Sequence, residues 1–235
     1  MADKDNERKK LLEIFKELRV ADVRDGMDYL GLHNYGSMSP DIRPLERTSA
    51  CGIAKTARYL PFEGEIPDLS PEEYSEWSGW YYNEVCTYPW IEEIQEGDFI
   101  VIDQSNVDAG LMDSNNALEG VRQGANGYNG YVTNWGVRDT DEVIIENIPF
   151  WSKMISKSMV QGRLQYDDHD IPVNVGGVVV YPGDIIVADG DGVIVVPRDK
   201  AFEVAKWGKK ELESDKKSRR DLYKELDMEL DDTVK

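Results

Sequence analysis

Basic residues are scarce in this chain: 27 lysines and arginines stand against 46 aspartates and glutamates, a formal net charge of −19 over 235 residues. That balance opposes broad contact with a phosphate backbone, so nucleic acid is not an expected partner. Histidine is rarer still. His33 and His169 lie far apart in sequence, without the paired spacing of a zinc site. Cys51 and Cys86 are too few for a disulfide framework and neither belongs to a CxxC pair. No apolar run reaches the roughly 18 residues a transmembrane helix needs, so no membrane partner is expected. The opening MADKDNERKK has no apolar signal core, and with the free thiols this leads to an expected cytoplasmic location. GxGxxG, P-loop and GxSxG motifs are missing too, which leaves no nucleotide cradle or serine nucleophile to build on.

What the chain does have is 40% hydrophobic residues with 10% aromatics, enough to bury a sizeable core. Residues 5–18 place Leu11, Leu12, Phe15 and Leu18 on one helical face, and VADVRDGMDYLGL reads as a second short helix ended by Gly31. CGIAKTARYL (51–60) and GDFIVID (97–103) read as strands. Residues 113–127 read as a helix capped by Ser114 or Asn115, leading into the strand GYVTNWG; DEVIIENI is a short helix or strand. The stretch PVNVGGVVVYPGDIIVADGDGVIVVP predicts three strands split by turns at Asp184 and at Asp-Gly. ADGDGV is similar to a calcium loop, but it lacks the twelfth-position Glu and predicts a hairpin turn. From Arg198 a long charged helix carries only Phe202, Ala205 and Leu212 as its apolar stripe, which predicts packing on a neighbouring subunit. Residues 226–235 are expected to be a disordered tail.

Between Pro61 and Ile100 there are eleven acids and no Lys or Arg, interleaved with Tyr74, Trp77, Trp80, Tyr81, Tyr82, Tyr88 and Trp90. This acidic, aromatic insertion at about 62–96 suits core packing, a subunit interface or a pocket wall. Lys55, the one candidate for a Schiff-base lysine, reads as a stem snorkelling at a core edge.

In TNWGVRDTDE, Arg138 offers a rigid fork for a carboxylate or enolate oxygen, and Asp139 a hard ligand for Mg²⁺ or Mn²⁺. An exposed turn with a local ion pair explains the same residues without chemistry. Upstream, DSNNALEG either exposes helix-terminal amides to an anion or simply caps its helix.

Taken in order, ADVRDGMDYLG, GIAKTARYLP, GDFIVID, SNNALEG…GYNGYVTNWGVRDTDE and IPV…GGVVVYPGDIIVADGDGVIVVP resemble the RraA-like family, over most of residues 18–220. That family includes the regulator of ribonuclease E activity and the HMG/CHA aldolases. The resemblance implies one α/β domain of the swivelling β/β/α type, with N-terminal helices and a long C-terminal helix. It also implies homotrimers or dimers of trimers with sites between subunits. It assigns the pyruvyl oxygen to Arg138, a divalent metal (Mg²⁺ or Mn²⁺) to Asp139, and a substrate carboxylate to the amides of Ser114, Asn115, Asn116 and Ala117. An acid from a neighbour's C-terminal helix completes the metal's outer shell: Asp215, with Glu211 and Glu213 as alternatives. One position departs from the aldolase pattern, which has an acid twenty-one positions before the Arg, where this chain has Ala117; Asp113, Asn116 or Glu119 would have to substitute. The function expected is a metal-dependent lyase on a 2-oxo acid, through a pyruvate enolate. The alternatives are an acidic oligomeric binding protein of the ribonuclease-regulator kind, and a lyase or isomerase for a sugar acid stacked on Trp77, Trp80 or Trp90.

Overall fold

The computed structural model describes residues 2–124 and 128–234. Its centre is built from strands that are apolar at nearly every position, the pattern of strands buried on both faces. β1 (Arg43–Pro44) pairs antiparallel with β5 (Phe150–Ile155) at one edge. From β5 the sheet continues in parallel through β4 (Tyr128–Val137), β3 (Asp98–Asp103) and β2 (Ala50–Pro61). Beyond β2 come the antiparallel β9 (Ile185–Asp189) and β10 (Gly192–Val196). β6 (Leu164–His169) also pairs with β2, past a register shift at Arg58/Tyr59. The sheet curls until its edges meet. Arg43 donates to the Asp191 carbonyl at 3.2 Å, and Trp151 Nε1 to the Asp189 carbonyl at 3.0 Å.

Period-two alternation sorts the side chains of each strand between layers. In β3, Phe99 and Val101 face inward, where they meet Val132, Trp151 and the valines of a hairpin, β7 (Val173–Val175) and β8 (Val178–Val180). Ile100 and Ile102 face outward onto a second cluster with Tyr59, Tyr81 and Trp90. That outer cluster is roofed by α3 (Pro71–Glu84), a 3₁₀ turn (Pro89–Glu93), α4 (Ser114–Gly124) and α5 (Thr140–Ile145). α3 starts from a complete capping box, Ser70 with Glu73, and Pro71 at its first position. The insertion therefore supplies core: Trp90 and Tyr81 are fully buried, so Trp90 is no platform for a sugar ring.

The third layer packs α1 (Ala2–Phe15), α2 (Val20–Asp28) and α6 (Ala201–Glu225) on the other end of β2 and on β9 and β10. The stripe expected for α6 needs correction. It buries Ala201, Val204, Ala205, Gly208 and Leu212 within this chain, while Phe202 is 41% exposed beneath the Lys10 ammonium. A Cβ on Gly26 would stand 2.4 Å from the Val204 carbonyl oxygen, and one on Gly208 2.7 Å from that of Asp22. α2 and α6 thus cross backbone to backbone, a contact that counting large apolar residues does not register.

Other boundaries moved as well. The first helix ends at Phe15, the stretch 172–197 holds four strands where three were expected, and DEVII of DEVIIENI lies in a helix. The hairpin at Asp189–Gly192 is as expected. Residues 125–127 of the expected 113–127 helix lie outside the described residues. After α6 the chain turns back along it, with Arg219 donating to Thr233 and Tyr223 to Asp231. Among the described residues no helix is long and apolar enough to cross a membrane.

Candidate functional site

Met112 forms a parallel bridge with Val137, and the Arg138 amide donates to the Met112 carbonyl at 3.0 Å. The residues after this bridge, Asp113 on one side and Arg138-Asp139 on the other, therefore emerge together at the carboxyl end of β4. Strand pairing brings together what twenty-odd residues of chain separate. Arg138 runs its stem over Gly110, where any Cβ would meet three stem atoms at 2.4 to 2.7 Å, and its Nε lies 3.2 Å from Asp139 Oδ1. Asp139 precedes α5 in a left-handed conformation (φ 54°, ψ 41°) that Asp tolerates better than most residues, and its side chain caps nothing. The carboxylate is thereby left to Arg138 and to whatever enters.

Gly110→Ala should displace the Arg138 fork without touching the residue itself. The expected outcome is an intact melting curve beside a fall in any Arg138-dependent turnover, checked by calorimetry and steady-state kinetics together.

The cap of α4 is Asp113 rather than Ser114 or Asn115: its Oδ1 accepts from the Asn116 amide at 2.9 Å, and its carbonyl accepts from the Ala117 amide. Two of the four amides assigned to a substrate carboxylate are thus already engaged by the protein. Ser114 gives its hydroxyl to Glu146 at 2.7 Å, Asn115 is exposed, and Asn116 turns its side-chain amide to the Leu111 carbonyl. Ala117 is fully buried, and Glu119 pairs with Arg122. Asp113 is the acid that reaches Arg138-Asp139. Burial pushes its carboxyl above the usual range, and the Asp139 charge adds to this against the opposing pull of Arg138. Burial works against the Arg138 charge, but the hydrogen bond and charge of Asp139, then Asp113 and Tyr82, raise its pKa overall.

Tyr82 belongs to α3 and lies near Arg138, so the insertion borders the site. It also braces it: the Tyr88 hydroxyl donates to the Leu111 carbonyl at 3.3 Å, holding the loop that delivers Asp113. Composition flagged these aromatics, but only the fold shows which one faces the site. The acids of α6 stay in the other layer. Asp215 pairs with Arg19 at 3.1 Å, and Glu211 accepts from the Tyr29 hydroxyl at 2.7 Å.

A second cluster was missed in the sequence. Lys55, read there as snorkelling, is buried and places Nζ 2.7 Å from Glu93 and 2.8 Å from Asp170. His169 bridges Glu93 at 3.1 Å and the Tyr166 hydroxyl at 2.5 Å. Glu93, His169 and Asp170 bring metal-ligand atoms within 4.8 Å of one another. The Lys55 ammonium already sits between the two carboxylates, however, so we read the group as a lysine-centred ion pair that pins the insertion to β2.

The hydrogen bond and charge of Lys55 lower the Glu93 pKa. Burial opposes the charge on Lys55, yet its bonds to Asp170 and Glu93 raise its pKa overall. A depressed carboxyl stabilises the fold above its unfolded pKa and loses that contribution as pH falls through the folded value. A raised lysine stabilises below its unfolded pKa and loses the contribution as pH rises through the folded one. The pin should therefore hold between about pH 5 and about pH 10. Glu93→Gln should flatten the acid limb of a melting-temperature profile; an acid limb identical to wild type would argue against the pin.

Known proteins resemble this chain over the same elements. The RraA-like family model (Aldolase/RraA) matches residues 20–195. Protein DlpA of Legionella pneumophila is 28% identical over 83% of this chain, which spans only 28% of DlpA. A Halalkalibacterium halodurans protein with the provisional name 4-hydroxy-4-methyl-2-oxoglutarate aldolase is 30% identical over 54% of the chain and 60% of its own length. The crystal structure of Streptomyces coelicolor RraAS2, described as an unusual member of the RNase ES inhibitor RraA protein family, superimposes with a TM-score of 0.69. It is 25% identical, over 89% of this chain and 96% of that one. With the curled sheet, the flanking helices and a family match across most of its length, the chain belongs to the RraA-like family.

Proposed function

We propose that this protein is a divalent-metal-dependent lyase that cleaves or decarboxylates a 2-oxo acid through a pyruvate-type enolate. The observation that carries this reading is the convergence of Arg138, Asp139 and Asp113 at one strand end. Two carboxylates beside a forked cation are a hard-oxygen donor set of the kind Mg²⁺ or Mn²⁺ takes, with water filling the remaining positions. Asp139, with Asp113 beside it, would hold the ion, and Asp215 of a neighbouring chain would join its outer shell. When bound, the metal supplies Lewis acidity toward the 2-oxo group.

The chain's own groups do the rest. Arg138 directs its donors at the oxygen where enolate charge develops. The Ser114 amide, with the exposed side chain of Asn115, orients the substrate carboxylate. In retro-aldol cleavage the substrate hydroxyl loses a proton as the carbon–carbon bond breaks, and Asp113 is the second carboxylate available to take it. That proton is then available for the enolate carbon, which must be protonated to give pyruvate; decarboxylation releases CO₂, needs no such base, and takes the proton for its enolate from water. Asp113→Asn should therefore lower aldol cleavage more than decarboxylation, which loses only what a weakened metal site costs it.

The test is pyruvate release from 4-hydroxy-2-oxo acids and from oxaloacetate, with Mg²⁺ or Mn²⁺ and with EDTA. Asp139→Asn, an isostere that keeps the left-handed backbone, should lose metal-dependent turnover while the protein stays folded. Activity unchanged in EDTA would reject the reading.

A second reading is a non-catalytic acidic oligomer that binds a basic protein. It rests on the −19 charge and the eleven acids around the insertion. A sugar acid as substrate, stacked on the half-exposed Trp80 or on Trp77, is a third. All three call for a trimer or hexamer, in which α6 meets a neighbour; a monomer by light scattering at micromolar concentration would count against it.

A further inference from the structure

A polar cleft of about 550 Å³ opens where β3 ends, between the Asp103–Asn106 turn, Asn134 of β4, Lys153 of β5 and the β7–β8 turn at Gly176-Gly177. Ligand crevices in α/β sheets form outside the carboxyl ends of parallel strands, and this volume is that of a small-molecule site. It is not the Arg138-Asp139 site. Asn134 lies four residues before Arg138, roughly 13 Å along an extended strand. Its side chain bonds Asp103 and the Asn174 carbonyl of the inner hairpin, and neither Asp113, Arg138 nor Asp139 is among the residues that line the cleft.

The rim of the cleft is held in an uncommon backbone conformation. Ser105 and Asn106 are both left-handed, at φ 49° and 59°, and strain of that kind persists only where surrounding bonds fix it. They do so here. Ser105 donates its amide to Asp103 and its hydroxyl to the Tyr59 carbonyl. The fully buried Gln104 beside it takes Thr133 on its carbonyl oxygen, gives its side-chain amide to Ala109, and donates its backbone amide to Asn134. Opposite, a Cβ on Gly177 would meet nothing within 4 Å, so the turn leaves the cleft open.

Charge and hydrogen bonding define what fits. The Asp103 carboxylate accepts from Ser105, Asn134 and the Asn174 amide, which occupies most of its acceptor capacity. Lys153 is exposed and lies 4.8 Å over the Trp135 ring, with no carboxylate partner among the described residues. The remaining lining is carboxamide and hydroxyl: Asn106, Asn174 and Ser39. Beside an Asp103 carboxylate that neutral donors already occupy, Lys153 is the cation of the described lining, and with the carboxamides and hydroxyls around it suits a single negative charge on a hydroxyl-rich frame. We propose that this cleft is a second small-molecule site, for a monoanionic polyhydroxy acid of sugar-acid size, with Lys153 on its carboxylate and Asn106 and Asn174 on its hydroxyls. It does not depend on the lyase reading.

The probes are D-gluconate and D-glucuronate, with acetate and D-glucose as controls for the charge alone and the hydroxyls alone, followed by calorimetric titration of the full chain. Saturable binding of either acid, tighter than both controls, is expected. Lys153→Gln should weaken it at least about tenfold, as for loss of one charge-assisted contact. Lys153→Arg should retain most of it, and Asn106→Gly, which keeps the left-handed backbone, should weaken it with little change in melting temperature. Binding should survive Arg138→Ala. Failure of both acids to saturate would overturn the proposal, as would indifference to Lys153→Gln, or loss of binding in Arg138→Ala instead.

Discussion

Arg138→Ala is expected to lower kcat by roughly 10²–10³, the scale for removing one preorganised donor from a developing oxyanion. The donor is preorganised because its stem lies on Gly110 and its Nε is tied to Asp139, so little reorganisation is left to the reaction itself. KM should change less than kcat, since the interaction strengthens only as charge moves onto the enolate oxygen. Arg138→Lys should recover little: a flexible point charge cannot reproduce a planar fork whose position the Gly110 contact fixes. An exposed-turn ion pair makes the opposite forecast, a stability change under about 1 kcal/mol and no kinetic effect. Kinetics on whichever 2-oxo acid the screen identifies, run beside melting curves, separate the two. Near-wild-type turnover in Arg138→Ala would end the lyase mechanism as drawn.

Trp90→Ala should destabilise the protein by about 3–5 kcal/mol, the range for emptying a buried tryptophan site. Trp90 is fully buried between the insertion and the sheet, and its Nε1 donates at 2.8 Å to the Tyr59 hydroxyl, which in turn donates to the Thr87 carbonyl. The substitution removes the ring and also leaves a buried hydroxyl with one partner fewer. Trp90→Phe separates these effects. It keeps most of the volume and should cost about 1–2 kcal/mol, the scale for one lost buried hydrogen bond with some repacking. Trp80, half-exposed on α3, should tolerate alanine within about 0.5 kcal/mol. Urea unfolding read at two wavelengths tests this, with the midpoint shifting at constant slope. A shift under 1 kcal/mol for Trp90→Ala would mean that the insertion unfolds apart from the sheet. In that case Tyr88 could not brace the Arg138 site.

Local pattern was enough to read the most apolar strands, whereas β1, β5 and β6 were not read from it. Runs such as DFIVID and GVIVV carry their own evidence, because burial on both faces demands apolar residues at every position. The order of five such segments also carried the RraA-like family and, with it, Arg138 and Asp139. The sequence could not show that Asp113 belongs with them. That depends on Met112 pairing with Val137, a contact between residues far apart in the chain that no periodicity encodes. Nor could it show that Asp113 caps α4 and so engages amides that the family pattern leaves to a substrate, because capping by Asp113, Ser114 or Asn115 is equally allowed by residue type. The α2–α6 crossing was hidden because it runs through Gly26 and Gly208, which present backbone where a hydrophobic stripe presents side chains. Lys55 was misread for a related reason: its partners Glu93 and Asp170 come from the insertion and from the end of β6, and only the curled sheet brings them to one place. Composition and periodicity determined which segments are buried; long-range pairing decided which polar groups meet, because a charge or a hydrogen bond depends on distance and the sequence carries only order.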